Sequence, residues 1–408
     1  MTDRTIRLSG IRIAEMPNGC TRLAAAIGFE GFDAPYAESE IWFEVKDDLA
    51  GAFTDTTYDP FLLMPMYLAM YHGAELRIEG CVSKLLYDNM VHYGQAILCD
   101  FSSDLQHVPV AVDGFVSLEG GSRIGTGISC GVDSLSTIKD RFVDEDDPCY
   151  RITDLFLFNC GTHGDYGKES TNRQFAALLK ENGKAAKELG LPLHAVNSNL
   201  HSFTHFIGEQ KMGYFAIYSC ILSIAKMLRR YYVSSSYSYG EQLRFHDQAR
   251  DFDMAEYCEG LIVPLVQTEK FRLVLDGAQY RRSQKVSNIV DWIISRKYLN
   301  VCVNSEREGH NCSVCSKCKR TLIALESLGK LDEYSGVFDI AKYRSVARWY
   351  KLMIVAEYGK EGFTADGVDF ARQCGLKMPS RALALVATVP YRFARGAYRL
   401  AKKALHRG

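Results

Sequence analysis

Apolar and polar residues follow two different patterns along the chain, and the change comes near Leu118. In the first part, short alternating stretches that are typical of strands are interspersed with longer apolar or amphipathic stretches that are typical of helices. The predicted strands cover residues 6–13, 40–45 and 108–116, and the predicted helices cover residues 61–72 and 83–97. This mixture predicts an N-terminal α+β region in which no catalytic motif spacing is visible.

From Leu118 onward, a short apolar strand, a polar turn and a helix follow one another repeatedly. The predicted strands are residues 123–128, 154–159, 193–196, 231–235, 271–275 and 298–303, and the predicted helices are residues 135–141, 171–189, 208–230 and 283–296. This alternation is typical of a parallel sheet with helices on both faces. We therefore predict an α/β fold with a doubly wound, mostly parallel sheet. Because ligands bind beyond the carboxyl ends of such strands, the loops that start at Ser129, Cys160 and Asn197 should share one crevice.

A chain of 408 residues exceeds the size of one ordinary hydrophobic core. We predict an N-terminal α+β domain over residues 1–116, a central domain over residues 117–330 and a helical C-terminal region over residues 331–408. Residues 379–408 contain seven Lys or Arg and no Asp or Glu. This basic tail suits either peripheral contact with an anionic membrane or docking on the protein itself or on a partner subunit.

The overall charge limits the classes of partner. The formal net charge is −1, so no global field attracts nucleic acid, and we expect no clear nucleic-acid interface. The first ten residues lack the apolar stretch of a signal peptide, and no apolar run approaches the ~20 residues that span a bilayer. We therefore expect a cytoplasmic protein, with a homodimer left open.

The segment after predicted strand 123–128 has the composition of a phosphate-binding loop. It reads Ser129-Cys130-Gly131-Val132-Asp133-Ser134. Small residues let backbone amides converge on an anion, and the N-terminus of the following helix adds N–H groups and partial positive charge. Ser129 and Ser134 add hydroxyl donors, and Asp133 could help to hold a metal ion. The lysine of the common loop G-x-x-x-x-G-K-[ST] is absent, which leaves room for cleavage away from the terminal phosphate.

This loop resembles the S-G-G-x-D-S signature of the PP-loop ATP pyrophosphatases. The resemblance implies an adenine nucleotide alpha hydrolase-like fold and cleavage of ATP to AMP and pyrophosphate, with Mg²⁺ offsetting the charge of the pyrophosphate. It also implies that the whole loop binds the nucleotide, namely Ser129, Cys130, Gly131, Val132, Asp133 and Ser134. Cys130 departs from the signature, because the family has its first glycine there. If this position needs a positive φ, cysteine costs about 1 kcal/mol or more; a nucleophilic Cys130 at the phosphates is an alternative role.

Four of the thirteen cysteines lie in one short segment with the spacing Cys302-x9-Cys312-x2-Cys315-x2-Cys318. Four thiolates complete a tetrahedral zinc shell and leave no coordination position for water, as in structural zinc sites. Ligation of an iron–sulfur cluster and four free thiols are the alternatives. The pattern therefore predicts a structural metal site, with Zn²⁺ as the favoured ion.

A PP-loop followed by this cysteine spacing is similar to the 7-cyano-7-deazaguanine synthase branch. The similarity covers about residues 118–330 and implies that the four cysteines bind structural zinc. Arg320 follows the last cysteine by two residues. The branch adenylates a carboxylate and uses ammonia to make an amide and then a nitrile. Residues 1–115 and the residues after 330 have no counterpart in the compact synthase, so a different substrate is expected.

Two asparagines at predicted strand ends extend the candidate nucleotide site. Asn159 and Asn197 would face the shared crevice and contact adenine or ribose. In the loop after Asn159, His163 and Asp165 could form an acid–base pair. Ordinary solvated turns are the alternative for both loops.

A further charged group follows the predicted strand 271–275. Asp276 is succeeded by Arg281, Arg282 and Lys285, whose cations could bind the α-phosphate or an anionic substrate. We assign catalytic roles to Arg281 and Lys285, together with Asp133. A charged start of a helix is the alternative.

These patterns favour an AMP-forming, ATP-dependent enzyme that adenylates a carboxylate or carbonyl-type oxygen for attack by a nitrogen nucleophile. The acceptor would be a small molecule or a peptide terminus, and ammonia or an amine would be the donor. A PP-loop sugar amidotransferase of surface-polysaccharide synthesis is one alternative. A non-catalytic nucleotide-binding or zinc-stabilised scaffold is another.

Overall fold

A computed structural model describes residues 3–161, 167–207, 209–245, 257–302, 310–359, 362–391 and 393. The chain forms two compact units, residues 1–279 and residues 280–408. This division differs from the three predicted segments with their limits at residues 116 and 330. The pairing of strands in the first unit and the packing of helices in the second explain the difference.

The first unit is built on one sheet of ten strands in the order β10-β9-β6-β7-β8-β3-β2-β1-β4-β5. Six neighbouring pairs are parallel and three are antiparallel. The strands are β1 (Thr5–Met16), β2 (Cys20–Glu30), β3 (Glu40–Lys46), β4 (Glu75–Val82), β5 (Val110–Phe115), β6 (Arg123–Gly127), β7 (Asp154–Asn159), β8 (Leu193–Ser198), β9 (Leu228–Ser234) and β10 (Arg272–Asp276). The predicted α/β class with a mostly parallel sheet is confirmed at this level.

The strands β10, β9, β6, β7 and β8 form a continuous parallel half of the sheet. Their short apolar sequences suit a position between two layers. In β7, for example, neighbouring Leu155 and Phe156 point to opposite faces and both are fully buried. This half carries the loops that were predicted to share a crevice.

The N-terminal strands continue the same sheet across the predicted boundary at residue 116. β3 pairs antiparallel with β8, with Phe43 opposite Ser198 and Glu44 opposite Asn197. The side chain of Asn199, just after β8, accepts a hydrogen bond from the Trp42 amide at 3.0 Å. One cluster of buried apolar residues extends from Ile6 to Leu273, so the N-terminal strands share a core with part of the parallel half.

The N-terminal half of the sheet is apolar on one face and charged on the other. Ile6 and Leu8 of β1 are fully buried, whereas Arg7 between them forms ion pairs with Glu30 and Glu79 at 2.8 Å each. This alternation is what a half-covered sheet requires.

Helices of the first unit follow most of the strands. They are α1 (Leu63–His72), α2 (Lys84–Tyr87), α3 (Gln95–Phe101), α4 (Val132–Ile138), α5 (Glu169–Leu189), α6 (His201–Thr204), α7 (Glu209–Ser223), α8 (Tyr239–Phe245) and α9 (Glu259–Ile262). π-Helical turns link α2 to α3 and continue α4 through residues 139–143. Buried residues on nearly every side of α1 show that it lies inside the core.

The second unit is helical. Its helices are α10 (Arg282–Ile289), α11 (Ile293–Tyr298), α12 (Ser316–Ser327), α13 (Ile340–Ala356), α14 (Gly362–Gln373) and α15 (Arg381–Ala387). Ile323 of α12 packs in one apolar cluster with Ile354, Val368 and Ala384 of the last three helices. The helix after the cysteines therefore shares a core with residues beyond 330. Within the described residues, no helix is both long enough and apolar enough to cross a lipid bilayer.

The strand predicted over residues 298–303 is wrong for its described part. Tyr298 ends α11, and residues 299–302 form no strand. The Asn311 side chain supplies the hydrogen bonds instead, accepting from the Val301 amide at 2.9 Å and donating to the Leu299 carbonyl at 2.7 Å. Leu299 and Val301 are buried nonetheless, which explains their apolar character.

Two predicted helix limits are also wrong, and two strands were not predicted. The helix predicted over residues 208–230 ends at Ser223, and β9 begins at Leu228. The helix predicted over residues 283–296 is divided into α10 and α11, and Ser295 Oγ donates to the Ile289 carbonyl at 2.6 Å across the break. The missed strands are β2 and β4, which the alternating pattern did not reveal.

Candidate functional site

The loop of residues 129–134 lies at the point where the order of the parallel strands reverses. From β6 the chain proceeds to β7 and β8 on one side, and β9 and β10 lie on the other side. At such a reversal, the loops that follow two adjacent strands run in opposite directions and open a crevice at the carboxyl ends of these strands. Ligands bind in this crevice in open α/β sheets. The topology therefore places the loop where the sequence predicts a nucleotide site.

Hydrogen bonds within the loop hold its two serines together. The hydroxyl oxygens of Ser129 and Ser134 are 3.1 Å apart. The Gly131 amide donates to Ser129 Oγ at 3.3 Å, and Ser134 Oγ donates to the Gly131 carbonyl at 3.2 Å. Gly131 is extended and caps α4, which begins at Val132. The backbone amides in the first turn of a helix have no carbonyl partner within the helix. They are therefore available to an anion at this end of α4.

Cys130 adopts the backbone conformation that glycine favours. Its φ is +53°, in the left-handed region that costs other residues about 1–2 kcal/mol. Its side chain is only 2% exposed, and burial, with a smaller contribution from Glu181, raises the pKa of the thiol to about 12. A buried, protonated thiol is a poor nucleophile. At Cys130 the loop thus has a backbone conformation that favours glycine, with the sulfur turned into the protein.

Asn159 and Asn197 are brought together, as predicted. They are paired neighbours at the ends of β7 and β8, and Asn159 Nδ2 donates to Asn197 Oδ1 at 3.1 Å. Asn159 is buried and Asn197 is half-buried. The pair joins two strands at the carboxyl edge of the sheet on one side of the loop. His163 and Asp165 lie outside the described residues.

The loop after β9 forms the other side of the reversal point, and the sequence analysis missed it. The amide of Ser235 donates to the Asp276 carbonyl at 2.9 Å, and its hydroxyl donates to the Tyr237 carbonyl at 2.7 Å. The Ser238 hydroxyl donates to Glu241 Oε2 at 2.7 Å. Four serines in residues 234–238 after an apolar strand are the signal that could have revealed this fixed polar loop.

Asp276 at the end of β10 pairs within the first unit. Its Oδ1 accepts from Arg141 Nε at 2.6 Å. Burial lowers the pKa of Arg141, but the Asp276 charge and hydrogen bond outweigh that effect and raise it. Asp276 is therefore engaged by a cation that was not predicted.

Arg281 and Lys285 belong to the second unit. Arg281 caps α10 and lies 3.5 Å from a carboxylate oxygen of Asp369. Lys285, by contrast, is fully buried. Their catalytic assignment at the α-phosphate stays a prediction, as does that of Asp133, which is half-buried in the first turn of α4.

The four cysteines of the second unit converge on one point. Their sulfur atoms all lie within 4.8 Å of one another, with Cys302 and Cys315 4.0 Å apart and Cys312 and Cys318 3.9 Å apart. Four sulfurs about 2.3 Å from a tetrahedral zinc ion would be about 3.8 Å apart. Ligands of a polynuclear iron–sulfur cluster bind different iron atoms and would be spread more widely. The tetrad could hold one metal ion and is compatible with structural zinc.

Backbone amides donate to the cysteine sulfurs and support the charged form of the Cys312 thiol, whereas burial and the neighbouring Cys315 raise the pKa of Cys318. The Cys315 amide donates to Cys312 Sγ at 3.2 Å, and the Cys318 amide donates to Cys315 Sγ at 3.4 Å. Burial raises the pKa of Cys312, but hydrogen bonds from Val314 and Cys315 outweigh it and lower the pKa to about 6. The donor set therefore suits a thiolate-binding cation.

Comparisons of the chain with family models, with curated proteins and with solved structures gave no match. Two of the predicted groups are formed, each within its own unit. The first unit contains the loop and the neighbouring Asn159–Asn197 pair, and the second unit contains the cysteine tetrad. Chemically, the first arrangement can bind an anion beside a polar amide pair, and the second can bind a metal ion.

Proposed function

We propose that the chain is an ATP-dependent enzyme of the PP-loop kind, which forms AMP and pyrophosphate. It would adenylate a carboxylate or carbonyl-type oxygen of an acceptor for attack by a nitrogen nucleophile. The observation that carries this proposal is the loop at residues 129–134. It combines the S-x-G-x-D-S residues with a glycine-like φ of +53° at the one departing position, Cys130, at the carboxyl end of the central parallel strand.

The loop residues have the chemistry that a departing pyrophosphate needs. Backbone amides at the start of α4 and the hydroxyls of Ser129 and Ser134 would bind its oxygens, and such preorganised donors stabilise charge that develops during the reaction. Asp133 would hold Mg²⁺, which offsets the phosphate charge. Asn159 and Asn197 would bind the nucleoside, because they border the loop on the β7 side.

The reaction has two steps. An oxygen of the acceptor attacks the α-phosphorus, and the bond from that phosphorus to the pyrophosphate oxygen breaks. The nitrogen nucleophile then attacks the activated carbon, AMP leaves with the bonding electron pair, and the nitrogen loses a proton.

We also propose that the tetrad holds structural Zn²⁺ and that the enzyme works in the cytoplasm. Four cysteines fill all positions of a four-coordinate site and leave none for water, which is the pattern of structural zinc. None of the thirteen cysteines, all of which lie in the described residues, forms a disulfide. Many cysteines without a disulfide among the described residues suit a reducing compartment.

Product analysis tests the proposed reaction. The purified protein is incubated with ATP, Mg²⁺ and a panel of carboxylates, with hydroxylamine as the nitrogen nucleophile, and nucleotides are separated by chromatography. We expect AMP and pyrophosphate. The double variant Asp133→Asn and Ser134→Ala should lose about a hundredfold or more in rate, whereas Ser345→Ala, an exposed serine of α13, should match the wild type. ADP and orthophosphate as products would refute the proposal.

ATP binding measured together with pyrophosphate formation separates an enzyme from a nucleotide-binding scaffold. We expect Asn159→Ala to weaken ATP binding, measured by calorimetry, because it removes a polar group beside the loop. A protein that binds ATP but never forms pyrophosphate, either as wild type or as Cys130→Gly, would instead be a nucleotide-binding scaffold.

A further inference from the structure

Two arginines lie directly opposite each other near the start of the last two strands of the sheet. Arg230 of β9 pairs with Arg272 of β10 in the parallel register. Paired residues of neighbouring strands are about 5 Å apart and project from the same face of the sheet. Arg272 is exposed and Arg230 is half-buried. Like charges in such positions repel each other and destabilise the sheet unless an opposite charge offsets them.

No carboxylate offsets these two charges within the described part of the chain, where neither Arg230 nor Arg272 forms an ion pair. Acidic residues around them are engaged by another cation. Asp276 at the far end of β10 and Glu145 both pair with Arg141, at 2.6 Å and 3.7 Å. The two opposed arginines therefore receive no counter-charge from the residues that the structure describes.

Aromatic rings hold Arg230 in place without satisfying all of its donors. Its guanidinium carbon is 4.5 Å from the centroid of the Tyr150 ring and 5.8 Å from that of Tyr232. Burial raises the pKa of Tyr232, and the charge of Arg230 and its hydrogen bond to the hydroxyl oppose that rise. The Nε atom of Arg230 is buried and has no hydrogen-bond acceptor among the described residues. A cation fixed in this way is preorganised for a further acceptor.

The arginine pair lies away from the carboxyl edge of the sheet, where the loop of residues 129–134 is found. Arg230 precedes Ser234, the last residue of β9, by four positions, which corresponds to about 13 Å along a strand. Arg272 precedes Asp276, the last residue of β10, by the same number of positions. A ligand of the two arginines would therefore bind at a different place from the proposed nucleotide.

The charge and the donor geometry select the kind of ligand. Two opposed guanidinium groups suit an anion with two charges and several oxygens. A phosphate group carries a charge of about −1.5 to −2 near neutral pH, and arginine binds its oxygens through paired N–H donors. A single carboxylate would offset only one of the two charges. We propose that Arg230 and Arg272 form a second anion site, which binds a phosphate group. This inference does not depend on the proposed reaction.

Calorimetric titration of the full-length protein with inorganic phosphate, at constant ionic strength, tests the proposal. We expect Arg230→Gln and Arg272→Gln each to weaken binding about tenfold or more, because each removes one charge and its paired donors. The matched control is Arg229→Gln, which should bind as the wild type does. Arg229 is exposed on the same strand but projects from the opposite face. Parallel titrations with glycerol 3-phosphate show whether free phosphate or a phosphate ester binds more tightly.

The melting temperature gives a second readout that a merely structural arginine would not reproduce. Without phosphate, Arg272→Gln should be at least as stable as the wild type, because the change removes the repulsion between like charges. With phosphate, the wild type should gain more stability than the variant, because only the folded wild type binds the anion well. A lower melting temperature of Arg272→Gln in both conditions would contradict the repulsion argument.

Three results would overturn the proposal. The first is a wild-type protein that binds no phosphate at millimolar concentrations. The second is equal phosphate affinity of the wild type, Arg230→Gln and Arg272→Gln. The third is phosphate binding that is lost in the double variant Asp133→Asn and Ser134→Ala but kept in Arg230→Gln. That third result would locate the phosphate at the loop of residues 129–134, in favour of the proposed function and against a second site.

Discussion

Replacement of Cys130 by glycine changes the stability through one favourable and two unfavourable contributions. Cysteine at a φ of +53° carries roughly 1 kcal/mol of backbone strain that glycine would not carry. Against this, the side chain is 2% exposed, and loss of its two heavy atoms costs roughly 1.5 kcal/mol at about 0.8 kcal/mol for each methylene-sized group. Glycine also makes the unfolded chain more flexible, which costs a further ~0.5–1 kcal/mol.

The sum predicts that Cys130→Gly lowers the free energy of unfolding by about 1–1.5 kcal/mol, a shift of a few degrees in melting temperature. Cys130→Val is the matched comparison, because it keeps a buried apolar side chain but places a β-branched residue in the left-handed region. We expect it to cost about 2–4 kcal/mol from strain and overpacking. Thermal and denaturant unfolding of the two variants, side by side with the wild type, measure the difference.

The same pair of variants tests the connection to function. Glycine keeps the loop conformation, so Cys130→Gly should retain pyrophosphate release, whereas Cys130→Val should lower it by distorting the loop. A glycine variant less stable than the valine variant would refute the strain argument. Loss of pyrophosphate release in a folded glycine variant would show that the sulfur itself is needed.

Thiol reactivity gives an independent check on the same residue. With its pKa raised to about 12 by burial, Cys130 should stay protonated at neutral pH and react slowly with iodoacetamide in the native protein. Cys149 and Cys374 are exposed and serve as internal references in peptide mass spectrometry. Labelling of Cys130 as fast as these two would contradict the orientation of its side chain.

Two further predictions concern the metal site and the pH dependence of stability. We expect metal analysis to find about one zinc ion per chain. Cys315→Ser should lose the zinc and lower the melting temperature, whereas Cys374→Ser should keep the zinc because Cys374 lies outside the tetrad. Full zinc occupancy in Cys315→Ser would exclude the tetrad as the site. Burial raises the pKa of Asp154, but hydrogen bonds from His194, Thr153 and Arg123 outweigh it and lower the pKa. In this pH range the folded state therefore binds fewer protons than the unfolded state. The stabilisation is fully present above the pKa of Asp in the unfolded chain, about 3.9, and it is lost as the pH falls through the lower pKa of the folded state. The free energy of unfolding, measured with denaturant between neutral and acidic pH, should depend less on pH for Asp154→Asn than for the wild type. The same pH dependence in both proteins would exclude this contribution of Asp154.

Local patterns predicted those parts of the site that depend on neighbouring residues. The loop of residues 129–134 lies between its own strand and helix, and the tetrad spacing alone limits how four sulfurs can meet. Asn159 and Asn197 could be paired in advance because successive parallel strands are commonly neighbours. By contrast, the loop after β9 lies beside β6 because β9 pairs with β6 on the side opposite to β7. No local sequence pattern shows on which side of β6 a later strand pairs.

The errors in secondary structure have equally specific causes. Leu299 and Val301 are apolar because they are buried, yet the Asn311 side chain, ten or more residues later, takes the place of a neighbouring strand. Ile323 of α12 is buried in a core with Ile354 and Val368, which lie beyond the predicted domain limit at residue 330. Such long-range partners are invisible to periodicity, which reports only that a residue is buried and not what buries it.

The largest change concerns the N-terminal region, which was predicted as a separate α+β domain. Its strand β3 lies directly beside β8, with Glu44 opposite Asn197, and Ser198 Oγ donates to the Trp42 carbonyl at 2.7 Å. The candidate nucleoside pair is thus held from one side by the parallel strands and from the other by the N-terminal strands. A substitution in β3 would act on Asn197 through shared backbone pairing. Because one sheet supports both, the N-terminal region contributes to the position of the proposed nucleotide site.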